Sequence, residues 1–133
     1  RKMGGREMKN EQINIAISEA RGIVGPFENR WIKEVEMEGG LTGYESYGLT
    51  GFVKDELVFV ADYCNDLNAM HEAERTSTIF KSWRATKAWM DNLCICSDLG
   101  RLPESAPDWA FVLQASAAQR AEAFLKTIGE WEE

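Results

Sequence analysis

Apolar positions recur at helical spacing near both ends of the chain and at short, glycine-punctuated intervals between them. In "NEQINIAISEARG" (10–22), Ile13, Ala16, Ile17 and Ala20 fall at i, i+3, i+4 and i+7, one face of a helix. Asn10 can cap its start and Gly22 its end. The last segment is as clear. Ser116 followed three residues later by Gln119 is a capping box. Ala117, Ala121, Phe124, Leu125 and Ile128 form one stripe, Glu122 and Lys126 pair at i, i+4, and Gly129 ends the helix with Trp131 able to fold back. In "DLNAMHEAE" (66–74), Asn65 or Asp66 caps a helix that ends near Arg75 to Ser77. Leu67, Ala69, Met70 and Ala73 cluster on one side, and Asn68 and Glu72 face away. Glu74 falls inside the apolar stripe and His71 at its edge. A third helix is expected from Ser77 or Thr78 to Cys94, with Ile79, Phe80, Trp83, Met90, Leu93 and Cys94 on its apolar face.

Residues 25–60 are patterned differently. Gly25, Pro26, Gly39, Gly40, Gly43, Gly48 and Gly51 separate the runs "RWIKEVEM", "GYESYGL" and "ELVFVADY", rich in aromatic and β-branched residues. Such runs predict short strands joined by tight turns, with "LVFV" (57–60) the clearest. "SDLGRLPESAP" (97–107) has the composition of an exposed loop. Trp109 to Leu113 is expected to be a short buried segment, and periodicity leaves strand or helical turn open. The expected fold is α+β: a small antiparallel sheet from residues ~30–60 packed against about four helices, in a single domain over residues 8–133. Residues 1–7 are expected to lie upstream of a natural start at Met8.

Composition narrows the classes. The 133 residues suit one domain, and 44% hydrophobic content suffices for a core. No apolar run approaches the roughly 18 residues of a membrane span, so no membrane partner is expected. A net charge of −7 argues against coating nucleic acid, which needs many Lys and Arg. Cys64, Cys94 and Cys96 form an odd set without a secretory signal, which points to free thiols and a cytoplasmic setting.

The candidate chemistry is sparse. Cys64, His71, Cys94 and Cys96 are the donors a zinc site would use, but their spacing lacks the usual two knuckles, and buried cysteines commonly serve as small apolar groups. Asp66, His71, Glu72 and Glu74 could do acid–base work, yet Glu72 and Glu74 point apart on a helix, and "HEAE" lacks the second histidine of a zinc-protease helix. The glycines of 39–51 match no phosphate loop. Arg30, Lys33, Trp31 and Tyr44 suggest a basic-aromatic face, but Glu28, Glu34, Glu36 and Glu38 make it read as a solvated strand surface. No catalytic residue, metal or cofactor is expected. The structural expectation is sharper. A charge in an apolar stripe needs a partner. Glu74 or His71 should therefore meet Arg120 or Gln119, which makes Asp66, His71, Glu74, Gln119 and Arg120 a seam between two helices.

Three blocks, "EQINIAISEARG" (11–22), "DYCNDLNAMHEAE" (62–74) and "ASAAQRAEAFLKTIGEWEE" (115–133), resemble a family of small uncharacterised proteins of phages, prophages and other mobile elements. The resemblance covers about 50 residues in the same order, and its motifs are specific to that family. It implies a phage or integron-cassette type of source and supports Met8 as the start. It implies no activity and no site residues. The leading expectation is a non-enzymatic accessory protein acting by protein–protein contact, with the partner unknown and a homodimer among the options. Five Trp in so small a domain suggest an exposed aromatic surface for that contact. The alternative is a small metal-dependent enzyme or ligand-binding protein centred on His71 with Asp66, Glu72 or Cys64. A DNA mimic, the third option, would need acids on one face, whereas acids and bases are interspersed here.

Overall fold

The computed structural model describes residues 8–33 and 45–132. All of "EVEM" (34–37), together with Gly39, Gly40, Gly43 and Tyr44, lies outside the described residues. The fold is α+β, with a three-stranded antiparallel sheet and five α-helices among the described residues. Contacts divide the chain into two compact units: Gly22–Val60 carries the sheet, and the segments Arg1–Arg21 and Ala61–Glu133 carry the helices.

The sheet has the order β1 (Val24–Lys33), β2 (Glu45–Val53), β3 (Glu56–Phe59). It begins earlier than the residue pattern suggests, because β1 runs through Pro26 with a register shift between Val24 and Glu28. A proline lacks the ladder donor and is tolerated at such an irregularity. Strands β2 and β3 are joined by Lys54 and Asp55, whose φ values of 49° and 68° lie in the left-handed region that a two-residue hairpin requires. A Cβ on Gly51 would lie 2.7 Å from the Phe27 ring and 2.8 Å from the Ile23 side chain, so glycine lets both lie on the sheet. On the opposite face Thr50 is fully buried. Its hydroxyl donates to the Glu28 carbonyl (2.8 Å) and accepts from Arg30 (2.6 Å).

In the helical unit, α1 (Asn10–Ala20) is capped one residue earlier than expected. Lys9 is the cap, and its N–H donates to the Gln12 side chain (2.9 Å) rather than Asn10 acting as cap. Gly22 follows with φ of 95°. Helix α2 (Leu67–Arg75) starts at Asp66, whose carboxylate accepts from the Ala69 N–H (3.1 Å). The expected third helix is two elements. A 3-10 turn (Thr78–Phe80) capped by Ser77 precedes α3 (Trp83–Cys96), which restarts on the Ser82 hydroxyl. The break rotates Phe80 and Trp83 out of the expected stripe, leaving them 48% and 77% exposed. Helix α4 (Ala106–Leu113) contains Trp109 to Leu113, so the open choice resolves to a helix, with Pro107 in its first turn. Helix α5 (Ala117–Ile128) carries the Ser116–Gln119 capping box and ends at Gly129, φ 81°.

Helix α5 is the hub. Ala121, Phe124 and Leu125 share a cluster with Ile13, Ile17, Tyr63, Cys64, Met70, Ala73 and Ile79. Ala123 faces a second cluster of Leu93, Cys94, Val112 and Ala115, and Trp89 packs against both. Full burial of each large apolar side chain contributes roughly 1.5–3 kcal/mol.

Candidate functional site

Position 74 lies on the buried face of α2 because Met70, Ala73 and Glu74 share one side of the helix. A carboxylate there loses its water and must recover those interactions from protein. Arg120, one turn into α5, supplies them. Its Nη2 donates to Glu74 Oε1 at 2.8 Å, and its Nε donates to Oε2 at 3.1 Å and to Oε1 at 3.3 Å. The two side chains are 4% and 12% exposed, so the pair is screened little by solvent. The Trp89 ring of α3 lies 5.6 Å from the Arg120 guanidinium carbon and meets Phe80 edge-on at 5.2 Å. One charged pair thus ties three helices together at the junction of the two apolar clusters.

The other residues named for the seam lie apart from this pair. Asp66 caps α2. Gln119 donates to Asp98 at 2.7 Å and to neither Glu74 nor His71. His71 is exposed, because the edge of the α2 stripe turns outward. Glu72 pairs with Arg75 at 2.6 Å on the solvent side. The acids of "DLNAMHEAE" and its histidine therefore form no cleft.

The four zinc-type donors are dispersed. Cys64 belongs to the cluster beneath α1 and α2, Cys94 to the one beneath α4, and His71 to the surface. Among the described residues no three His, Cys, Asp or Glu side chains gather as a metal-binding group. The three thiols are free. Burial, then the charge of Asp62, pushes the Cys64 thiol up to about 11. Burial, then Glu122, does the same for Cys96, also to about 11, and Cys94 is raised chiefly by burial. Neutral thiols are poor nucleophiles and poor ligands. Arg30 and Trp31, adjacent on β1, face opposite sides of the sheet. Arg30 is committed to Glu28 (2.9 Å) and Thr50 and lies over the Phe52 ring, so the two do not make one basic-aromatic face. The side chain of Lys33 and all of Tyr44 lie outside the described residues.

What stands out instead is apolar surface. Helix α4 reads Ala-Pro-Asp-Trp-Ala-Phe-Val-Leu, apolar on all sides but Asp108. An all-round apolar helix is ordinarily buried. Here only Val112 enters the core, while Trp109, Phe111 and Leu113 are 38%, 51% and 76% exposed. The expected burial of Trp109 to Leu113 therefore holds for Val112 alone. The helix start is fixed by polar contacts: the Asp108 carboxylate accepts from the Glu104 N–H (2.9 Å) and from Arg101 (3.0 Å). The Glu104 N–H bond, followed by Arg101, holds that carboxyl below its ordinary value. The sheet shows a second exposed aromatic pair, Trp31 and Tyr47, facing each other across β1 and β2 with ring centroids 5.1 Å apart.

No protein-family model, curated protein or solved structure matches the chain. Among the described residues, no helix is long and apolar enough to cross a membrane.

Proposed function

We propose that the chain is an accessory protein of a phage or another mobile element, of integron-cassette type, that works in the cytoplasm by binding another protein through α4. The mobile-element part rests on the three sequence blocks described above. The cytoplasmic part rests on three free thiols. The observation that carries the contact is the exposure of Trp109, Phe111 and Leu113 on a helix that gives only Val112 to the core. Clustered aromatic and aliphatic groups of this kind dominate the energetics of protein interfaces.

The partner is a different protein with a basic rim around an apolar seat. Two copies of a chain of net charge −7 repel each other, and Glu104, 83% exposed, stands at the entrance to α4. The test is quantitative co-purification with the parent chain and with Phe111→Glu and Leu113→Glu, at low and high salt. Both variants replace exposed groups and should melt as the parent does. The reading predicts one stoichiometric partner, retained by the parent, lost from both variants and weakened by salt. Partner recovery unchanged by the variants contradicts it. Sedimentation showing a dimer of the parent, reduced to monomer by the variants, replaces the foreign partner with a second copy.

A further inference from the structure

The helical unit carries a groove of about 430 Å³ between the 3-10 turn, the first turns of α3 and the end of α5. Its floor is Ile79, Ala85, Ala88 and Ile128, and Arg84 stands on its wall. The volume is in the range of small-molecule sites, which combine an apolar floor with a few polar groups that orient the ligand.

Arg84 differs from the other described arginines. Arg30, Arg75, Arg101 and Arg120 are each held by a carboxylate, and Arg21 donates to the Tyr63 hydroxyl. Arg84 has neither an acidic nor a hydrogen-bonding partner among the described residues. In a chain with 22 acids against 15 basic side chains, an uncommitted guanidinium beside an apolar groove is a site for an anion. The hydroxyls around it are not equivalent. Thr127 is spent: it donates to the Ala123 carbonyl (2.7 Å) and accepts from Asn92 (3.0 Å). Ser82 accepts from the Ala85 N–H (3.1 Å), which leaves its own proton to donate. The Thr78 hydroxyl is likewise uncommitted among the described residues.

We propose that this groove binds a small amphiphile with a single anionic head, a carboxylate or a phosphate monoester, whose head meets Arg84 with Ser82 and Thr78 and whose alkyl body lies on Ile79, Ala88 and Ile128. The site is separate from α4 and stands whether or not α4 binds a protein.

The test titrates the ¹⁵N-labelled full chain with octanoate, with octyl phosphate and, as an uncharged control, with 1-octanol. At least one of the anions gives saturable shifts at the amides of Ala85, Ala88 and Ile128, and which one does identifies the head group. Arg84→Gln, at an exposed position, keeps the parent melting temperature and weakens that binding about tenfold, the loss expected for one charge-assisted contact near the surface. Ala88→Phe fills the floor and abolishes binding while Arg84 remains. The proposal is overturned by any of four results: saturable shifts from neither anion, Arg84→Gln binding as tightly as the parent, 1-octanol binding as tightly as the anions, or unchanged binding by a folded Ala88→Phe variant.

Discussion

Replacing Glu74 by glutamine removes one charge from a pair whose side chains are 4% and 12% exposed. The introduced amide can offer Arg120 only one acceptor oxygen, and its NH₂ would face the guanidinium donors. Arg120 would be left buried with an uncompensated charge, which costs about 3–5 kcal/mol in comparable sites. For a domain of this size about 1 kcal/mol corresponds to roughly 4 °C, so the melting temperature should fall by roughly 12–20 °C. Replacing both partners with apolar groups, Glu74→Leu with Arg120→Met, should cost far less than the single change, because neither charge then remains to be desolvated. Urea unfolding of the parent, Glu74→Leu, Arg120→Met and the double variant, followed by circular dichroism at 222 nm, which reports the helices, gives all four corners of the double-mutant cycle. We expect a coupling of at least about 2 kcal/mol. A cost below about 1 kcal/mol for Glu74→Gln, or additive single and double changes, would show that the pair is solvated and that the seam is apolar contact alone.

Three further outcomes follow from local geometry. Replacing Lys54-Asp55 with Asn-Gly puts residues suited to positive φ at both turn positions and should stabilise the β2–β3 hairpin by about 1 kcal/mol, read as slower amide exchange across the hairpin. Cys64, which is buried, and Cys96, which is half-buried, are raised to about 11 and should resist a thiol reagent at pH 8; rapid labelling of both in the folded chain would contradict those raised values. Because the folded-state value of Asp108 lies below its ordinary 3.8, its contribution is fully present above that value and lost as pH falls through the lower folded one. Amide exchange in α4, corrected for intrinsic rates, should thus be flat from pH 5 to 8 and rise only in strong acid. An Asp108→Asn variant should lack that acid transition.

The parts of the fold most legible in the residues are those with local chemical punctuation. Ser116 with Gln119, and Gly129, bound α5 because their side-chain and backbone requirements act within one turn. Glu74 is conspicuous for a different reason: a carboxylate at an apolar position must find a cation, and Arg120 flanks the facing stripe. His71 is harder, since a residue at the edge of a stripe turns in or out according to which neighbour covers it. The break at Ser82 is hidden because Phe80 and Trp83 stand three residues apart and imitate a continuing helical face. The exposure of α4 is illegible in principle. A segment without a polar face has no phase to read, and apolar composition alone suggests burial, a rule that does not run in reverse. The Lys54-Asp55 turn lacks the glycine that usually marks such hairpins, so its left-handed residues go unsignalled. Arg84 carries no local signal either. Its interest lies in the absence of a nearby acid, which becomes visible only once the chain is folded.

The measurement that bears most directly on the proposed role is site-specific photocrosslinking with a benzophenone side chain at position 111, compared with the same probe at the exposed position 75 on α2, each in cells that express the chain. If α4 is the contact helix, position 111 gives one discrete adduct with a different protein, position 75 does not, and excess unlabelled parent chain suppresses the adduct while Leu113→Glu does not. Matching adduct patterns from the two positions, or an adduct of twice the mass of the chain, would contradict the account.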